Sequence, residues 1–593
     1  MNRFSLSGLR FFCAGAAMLA IISRAPAQEA EADGKLESFF RQYLEARFQM
    51  HPFAATQMGE HRFDHLLDDL SAPARARSLE HLRQTLKELP KAVHYAQLSR
   101  DRQIDYEMLR HELITAIWLE ENTRPFEQNP RLYSDYISDS IFLLLSQSRL
   151  PKETNVANSI SRMAHIPNIV AAARENLRNP PRPVLETAIR QNRGAIGFYE
   201  KGIFELVGET AQGAQLQAAA GRASTLLKNY QRFLEEDLLP RATGDWRLGK
   251  KKFSKKLELV LDAGLTADQV LADAEAEFTR VIGEMYVVSR QLWHRYFPKD
   301  ALPPDDADGR RETIRRVMAS VNQEHGKPEE LVDDARRTVD RIKAFIRDRD
   351  ILRLPEPDRC QVIEMPEFQR GNSLAYLNSA PPLDPEAPSL YAVSPPSADW
   401  DPKRVKSLLE EYNRHMLQIL TIHEAYPGHY VQLEYSNRTR SLIRRILQSG
   451  VFIEGWAVYT EQTMLDQGYG EGDLALRLMQ LKFYLRAVAN AIFDHKMHCT
   501  SMNDEEALRF LTEQAFQSEE EARLKIIRAK QTSTQLSTYF VGRMAHYRLR
   551  QRVQRELGTQ FDLGRFHEAV LDHGSVPVKY LPELVRARLA RQR

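Results

Sequence analysis

The segment Thr421–Tyr430 (Thr-Ile-His-Glu-Ala-Tyr-Pro-Gly-His-Tyr) limits how this chain can fold more than any other. His423 and His429 are six residues apart, and six helical steps of about 100° leave two side chains roughly 120° apart. In an unbroken helix they could not bind one ion together. Pro427 and Gly428 predict a break between them, because proline removes a helical donor and glycine accepts almost any backbone angle.

A broken helix would let both histidines bind one metal ion, with Glu424 beside it. The common hydrolytic zinc motif is H-E-x-x-H, in which the glutamate is the base. This segment is interpreted as H-E-A-G-H with Tyr-Pro inserted. The alternative is a helix that ends at Pro-Gly, with one core histidine and one exposed histidine. The metal interpretation is favoured by a helical apolar stripe leading up to the first histidine, in a helix expected to start at Asp401-Pro402: Val405, Leu408, Leu409, Tyr412, Met416, Ile419 and Leu420.

Two carboxylates share one face of the helix predicted over Ser441–Gln467. Buried carboxylates are costly unless a metal or a cation pairs with them. We expect Glu454 to be the third metal ligand, because Gly450 and Gly455 would let its segment approach the metal helix closely. We expect Glu461, two turns further on, to orient one of the ligand histidines without binding the metal itself. A plain salt bridge on this helix is the alternative.

Two later helical segments supply candidates for the chemistry. Asp494 and His498 are one turn apart, and Tyr539 shares a helical face with Gly542. We expect Asp494 to pair with His498 or to orient a ligand, and His498 or Tyr539 to hydrogen-bond a developing oxyanion. The alternatives are a structural Asp–His pair and a buried tyrosine bonded to a carbonyl group.

The pattern from residue 30 to about residue 296 is helical almost throughout, with connections marked by proline. Nine prolines then fall between residues 354 and 400, and three short segments there predict strands, at Cys360–Glu364, Ser373–Leu377 and Ser389–Val393. The sequence therefore predicts a mainly α fold, with a small β-sheet just before the metal-binding helix.

The last of these strands is a candidate for binding substrate. We expect it to lie at the edge of the sheet, where Tyr391, Ala392 and Val393 would pair with the backbone of a peptide. A packing strand with no role in binding is the alternative.

The N-terminus has the features of an export signal. Arg3 and Arg10 precede the apolar run Phe11–Ser23, and Ala25-Pro-Ala27 is typical of a cleavage site. We expect cleavage near Ala27 and a periplasmic or secreted mature protein, with an uncleaved anchor as the alternative. A lipid-attachment cysteine is not expected, because Cys13 lies inside the apolar run.

The mature chain is expected to be one domain over residues 28–593, with a helical part over about 28–352 and the sheet and zinc-site helices over about 353–593. Cleavage removes three of 82 basic residues and leaves 79 against 80 acidic ones. This balance gives no reason to expect nucleic acid or a membrane as a partner. Cys360 and Cys499 would be the remaining cysteines, so a metal must use histidine and carboxylate, although one bridge between the two stays open.

These motifs resemble the bacterial domain-of-unknown-function 885 family, whose members look like zinc metallopeptidases of the gluzincin type. Two departures are Tyr430, where the family usually has a second histidine, and Ser533-Thr534, where it usually has Pro-Gly. The resemblance implies a largely helical fold, one divalent metal and peptide hydrolysis. It is carried by His423-Glu-Ala-Tyr-Pro-Gly-His429, Gln432, Glu454-Gly-Trp-Ala, Asp494 with His498, Gln535 with Tyr539-Phe-Val-Gly542, and Ala380-Pro-Pro-Leu-Asp384 before Leu390-Tyr-Ala-Val393.

The expected function is that of an exported zinc metallopeptidase. His423, His429 and Glu454 would bind one Zn²⁺ per chain, and Glu424 would act as the base on a peptide or small amide substrate. One alternative is a metal-dependent hydrolase of a non-peptide amide or ester. Another is a non-catalytic binding protein on the same fold, although a binding protein has no need of a base such as Glu424.

Overall fold

The computed structural model of the chain describes residues 11–365, 375–396 and 400–591. The architecture is mainly helical with one small sheet, as the sequence predicts. The predicted signal peptide lies partly on residues 1–10, outside the described residues, and a helix runs from Phe11 to Met50. Residues 373 and 374 of the second predicted strand also lie outside them.

Helices occupy most of the described chain before the sheet. They are α1 (Phe11–Met50), α2 (Pro52–Gln57), α3 (Ala72–Ala92), α4 (Arg100–Thr123), α5 (Pro125–Gln128), α6 (Arg131–Ser134), α7 (Ser140–Ser146), α8 (Lys152–Met163), α9 (Ile166–Asn176), α10 (Arg182–Gly197), α11 (Ile203–Val207), α12 (Gly213–Arg232), α13 (Gly249–Leu261), α14 (Ala267–Tyr296), α15 (Ala307–Asn322) and α16 (Leu331–Asp348). Thr266 opens α14 through a capping box with Gln269, an arrangement that satisfies two backbone donors at the helix start.

The sheet has three strands in the described part of the chain, β1 (Cys360–Glu364), β2 (Ala375–Asn378) and β3 (Ser389–Val393). The bounds of β1 and β3 are those that the sequence predicts. β3 lies in the middle, parallel to β1 and antiparallel to β2.

The helices that follow the sheet carry the motifs. They are α17 (Pro402–Glu411), α18 (Arg414–Glu424), α19 (His429–Arg438), α20 (Leu442–Ile446), α21 (Gly450–Asp466), α22 (Leu474–Cys499), α23 (Asp504–Arg509), α24 (Glu519–Thr532), α25 (Thr538–Leu557), α26 (Leu563–Leu571) and α27 (Leu581–Ala590). Asp401 caps α17 as predicted, because its side chain accepts hydrogen bonds from two backbone N–H groups of the first turn.

Two of the expected helices are each divided by a capping residue. The apolar stripe before His423 predicts one helix, but Asn413 separates α17 from α18 and accepts two hydrogen bonds from the first turn of α18. The helix expected over Ser441–Gln467 is likewise divided into α20 and α21, and Ser449 caps α21. Both caps are polar residues inside an apolar periodic pattern, so periodicity alone does not show where one helix ends and the next begins.

Buried side chains form two hydrophobic clusters. The smaller one lies between Phe53 and Ala242 and includes the buried rings of Tyr133, Tyr199 and Tyr230. The larger one combines α1, α3 and α4 with most of the chain from α13 onwards. Within it α22 packs against α14, α18 and α25, so α22 contacts two other helices that carry motif residues, α18 and α25. The single domain over residues 28–593 stays a prediction.

Two further expectations from the sequence concern the membrane and the two cysteines. Within the described ranges, no helix combines the length and the apolar character needed to span a bilayer. Cys360 and Cys499 are both free thiols, so the bridge that the sequence leaves open is not formed.

Candidate metal centre

The break predicted between the two histidines is present. α18 ends at Glu424 and α19 begins at His429. The Gly428 N–H donates a hydrogen bond to the Ile422 carbonyl at 3.0 Å, which folds the connection back onto the end of α18. A Cβ at position 428 would lie only 2.0 Å from the His423 carbonyl oxygen, so a side chain there would prevent this close return.

The return of the chain brings three donor groups together. The rings of His423 and His429 have centroids 4.7 Å apart and planes at 85°. Glu454 from α21 is the third group, with its Oε2 3.9 Å from His423 Nε2 and 3.5 Å from His429 Nε2. The three donor atoms all lie within 4.8 Å of one another. Tetrahedral zinc with bonds of about 2.1 Å separates its ligand atoms by about 3.4 Å, so small side-chain adjustments would reach that geometry.

His423 is held in the orientation that a metal ligand needs. Its Nδ1 lies 2.7 Å from Oε1 of Glu461, which is fully buried. With the ring proton on Nδ1, the Nε2 lone pair faces the other two donors. Burial, followed by the neighbouring His429 ring and the Arg486 guanidinium, lowers the pKa of His423 well below its usual value, so the ring stays neutral. A neutral imidazole is the form that binds a metal.

Glu424 lies beside the three donors without being one of them. Burial is the main reason that its pKa is raised to about 7, and the Glu454 carboxylate raises it further. The His429 ring and a hydrogen bond from the backbone N–H of Leu377 act in the opposite direction. Leu377 belongs to β2, so the sheet contacts the candidate base directly.

Tyr539, at the start of α25, faces the same region. Its pKa is raised by burial and then by the nearby Glu454 carboxylate. The Tyr539 hydroxyl oxygen accepts hydrogen bonds from Arg528 Nη2 at 3.3 Å and from Gln535 Nε2 at 3.5 Å. Because both neighbours donate to this oxygen, the hydroxyl proton remains available for another acceptor.

Comparison with known proteins assigns the chain to a family. A family model described as "Bacterial protein of unknown function (DUF885)" matches residues 52–585. The chain belongs to the DUF885 family. No curated protein matches it.

Two solved structures resemble this DUF885 chain. One is a candidate lipoprotein of unknown function from Shewanella oneidensis, with 29% identity, a TM-score of 0.79, and coverage of 93% of this chain and 99% of the other. The second is a candidate lipoprotein from Colwellia psychrerythraea, with 20% identity, a TM-score of 0.74, and coverage of 94% and 99%. The second likeness concerns the fold alone.

In this DUF885 chain, the prediction that His498 stabilises an oxyanion is contradicted. Its Nε2 lies 2.9 Å from the Ala529 carbonyl oxygen, and its Nδ1 accepts from the Leu248 N–H at 3.4 Å. Both ring nitrogens are therefore occupied by backbone groups, and the ring stacks on Phe253. Burial lowers the pKa of His498 to about 4. The side chain joins three segments of the fold and has a structural role.

Asp494 is also misplaced by the sequence prediction, since it orients none of the three metal donors. Its Oδ2 accepts a long hydrogen bond from the Ser537 hydroxyl at 3.5 Å, and the Lys256 ammonium group lies near it. Its Oδ1 is 3.9 Å from His498 Nε2, too far for a hydrogen bond. Asp494 instead contacts the turn that precedes Tyr539.

The substrate role predicted for Tyr391, Ala392 and Val393 is wrong as stated. β3 is the central strand, so its backbone groups pair with β1 on one side and with β2 on the other. All three side chains are fully buried, and the Tyr391 hydroxyl lies 3.1 Å from Thr421 Oγ1. In the described part of the sheet β2 is the strand beside the candidate site, through Leu377.

The basic side chains next to this site were not predicted from the sequence. Arg486 lies on α22, while Lys525 and Arg528 lie on α24. The available signal was Glu521, Lys525 and Arg528 at positions i, i+4 and i+7, which places charged groups on one helical face. Ser518 caps α24, and the Glu521 side chain points to Arg486 at 2.8 Å.

Proposed function

We propose that this protein is an exported zinc metallopeptidase that hydrolyses peptide bonds. The observation that carries the proposal is the convergence of two imidazole nitrogens and one carboxylate oxygen, from His423, His429 and Glu454, beside the second carboxylate of Glu424. Two histidines and a glutamate form a known ligand set for catalytic zinc, which leaves one coordination position open. Zinc, when bound, would supply a Lewis acid that polarises a carbonyl group and acidifies water.

The surroundings of the donors support a metal rather than a salt bridge. Glu461 takes the Nδ1 side of His423, so the Nε2 side is left for a ligand. His429 Nδ1 is buried and has no hydrogen-bond partner among the described residues, while its Nε2 faces Glu454. A salt bridge from Glu454 to His423 would need a protonated His423 ring, whereas burial holds the pKa of that ring well below its usual value. Burial also acts against protonation of His429, but the hydrogen bond to Glu454 outweighs it and raises the pKa of His429, so His429 is the histidine of this pair that could form an ion pair with Glu454.

Glu424 and Tyr539 would carry out the proton transfer and the charge stabilisation. Glu424 accepts a proton from the attacking water and passes it to the leaving amide nitrogen, which is general base and then general acid catalysis. Its carboxylate is positioned by the Leu377 N–H. The Tyr539 hydroxyl donates a hydrogen bond to the oxygen on which negative charge develops, as in other oxyanion sites.

Export is part of the same proposal. The N-terminal arginines, apolar run and small residues up to Ala27 are typical of a signal peptide. The two similar solved structures are both described as candidate lipoproteins, a class of exported protein. In this chain Cys13 lies within the apolar run, so we propose release into the periplasm or the medium rather than a lipid anchor.

The test is hydrolysis by the purified mature chain, on peptides with free and blocked ends and on matched amides and esters, with and without a chelator. Glu424→Gln should keep its zinc and lose about 10²–10⁴-fold in kcat. The matched control is Glu434→Gln, since Glu434 is another buried carboxylate, on α19, paired with Arg438 at 3.3 Å.

Each alternative predicts a different outcome. Turnover of esters or small amides without peptides would support a non-peptide hydrolase. Tight metal binding without any turnover would support a binding protein. Peptide turnover that survives chelation, or that survives Glu424→Gln, would overturn the proposal.

A further inference from the structure

An excess of positive charge lies beside the metal centre, where α22 and α24 are in contact. α22 contributes Lys482 and Arg486, and α24 contributes Lys525 and Arg528. The Lys525 side chain is close enough to Arg486 and Arg528 that both disfavour its charge. We refer to Arg486, Lys525 and Arg528 as the basic cluster.

The carboxylates nearby offset only part of the charge of this cluster, and Glu521 also lies near enough to Lys525 to favour its charged form. Arg486 Nε lies 2.8 Å from Glu521 Oε1, and Lys482 is paired with a second glutamate at 2.9 Å. In the part of the chain that the structure describes, no carboxylate oxygen lies within 4.0 Å of Lys525 or Arg528. Lys525 is nevertheless 95% buried, with a relative exposure of 5%. Burial disfavours the charged form of Lys525, and a carboxylate bound beside it would stabilise the protonated amine.

The basic cluster reaches the metal centre by two short routes. Arg528 Nη2 donates to the Tyr539 hydroxyl at 3.3 Å, and Tyr539 is near Glu454. The Arg486 guanidinium carbon lies 5.4 Å from the Phe483 ring centroid, and that ring is 5.6 Å from the His423 ring. Each residue of an extended peptide spans about 3.5 Å. A group bound by the cluster would thus belong to one of the first few residues beyond the bond being cut.

We propose that the basic cluster binds the C-terminal carboxylate of a peptide, so that the enzyme removes residues from the C-terminal end of its substrates. This inference rests on the proposed function for the site of cleavage. Arginine presents a planar fork of donors that matches a carboxylate, and lysine adds a point charge. Two guanidinium groups and a buried amine around one position would favour a peptide with a free acid over the same peptide with an amide end.

Two neighbouring groups add donors to the same region. Gln517 lines a small cavity with Arg486 and Glu521, and its buried amide atoms have no hydrogen-bond partner among the described residues. Arg131, on α6, also lies near Arg528. Asp135, a carboxylate near Arg131, has its pKa raised to about 7, chiefly by burial, so it carries only part of a negative charge at neutral pH.

The burial of Lys525 gives the proposal a second measurable consequence. Burial, followed by the neighbouring Arg486, lowers the pKa of Lys525 well below its usual value. A carboxylate that binds beside this amine would raise that pKa again. Binding should therefore be accompanied by proton uptake, which calorimetry in buffers of different ionisation enthalpy detects.

The experiment measures binding rather than turnover. Zinc-loaded Glu424→Gln protein is titrated with a short peptide as the free acid, with the same peptide as the C-terminal amide, and with an amide peptide that ends in aspartate. We expect the free acid to bind at least tenfold more tightly than either amide. Lys525→Met and Arg528→Gln should each remove that preference, whereas Arg523→Met, on the exposed side of α24, should keep it.

Each outcome distinguishes the inference from the function on which it rests. Equal affinity of the Glu424→Gln protein for the free acid and for the amide overturns the inference. This result does not depend on whether the Lys525→Met and Arg528→Gln variants fold. Tight binding of the aspartate-ended amide would assign the cluster to acidic side chains and would also overturn it. A preference for the free acid without hydrolysis of any peptide by the wild-type chain would overturn the proposed function and leave the carboxylate site standing.

Discussion

Gly455 of α21 and Gly542 of α25 lie against each other where the two helices cross. A Cβ built on Gly455 would be 2.3 Å from Gly542 Cα, and one built on Gly542 would be 2.6 Å from Gly455 Cα. Glu454 is the neighbour of the first glycine, and Tyr539 lies one turn before the second. From the sequence, Gly450 and Gly455 are expected to allow close approach of the metal helix. Gly455 instead allows the approach of α25, and a Cβ on Gly450 would meet no atom within 4 Å.

The first prediction follows from this contact. Gly455→Ala should force α21 and α25 apart, and overpacking of this kind costs about 1–3 kcal/mol. Because the separation also moves Glu454 relative to Tyr539, zinc affinity and kcat should fall together with the melting temperature. Gly450→Ala is the control on the same helix and should leave all three unchanged. If both variants behave alike, the contact has no influence on the site.

The second prediction separates the two carboxylates of α21. Glu454→Gln should lose most of its zinc, because two histidines alone are a poor site. Glu461→Gln should keep zinc with an affinity about 10–100-fold lower, because it only orients His423. Titration against a competing chelator measures both. An empty site in Glu461→Gln and a filled one in Glu454→Gln would reverse the assignment.

The third prediction concerns the oxyanion. Tyr539→Phe removes only the hydroxyl group, and the loss of one such donor lowers kcat by about 10²–10³-fold. Zinc content should not change. His498→Asn should lower thermal stability, since His498 bonds the backbone of Leu248 and Ala529, while the folded fraction keeps its kcat within about threefold of wild type. If kcat were unchanged in Tyr539→Phe and strongly lowered in His498→Asn, His498 would be the catalytic group.

The fourth prediction is a pH dependence of stability. Burial raises the pKa of Asp494 to about 7, so between about pH 4 and pH 7 the folded chain keeps a proton that the unfolded chain has released. The stability contributed by this residue must then fall as the pH rises, by up to about 1.4 kcal/mol per pH unit. Asn cannot titrate, so the stability of Asp494→Asn relative to wild type should rise from pH 4.5 to pH 7.5. A difference independent of pH would mean that Asp494 is charged throughout.

Parts of the fold that depend on neighbouring residues could be predicted from the sequence. β1 and β3 have the predicted bounds because alternation and flanking prolines act locally. Asp401 caps its helix as expected. The break at Pro427-Gly428 follows from the backbone chemistry of two residues, and it is this break that turns His429 towards His423.

Other features depend on contacts between segments that are distant in the sequence. β3 occupies the centre of the sheet because it pairs with β1 and β2 together, and its sequence is equally compatible with an edge position. His498 differs in no local feature from a catalytic histidine, but its nitrogens meet the backbone at Leu248 and Ala529.

The sequence by itself determined that the chain is mainly helical and that His423, Glu424, His429 and Glu454 are the candidate site residues, because helical periodicity and the Pro-Gly break are encoded within a few residues. Only the tertiary structure decided which side chains surround that group. The close crossing at Gly455 and the position of Tyr539 beside Arg528 arise from packing between α21, α24 and α25. Such packing depends on the shapes of whole helices, which no local spacing records.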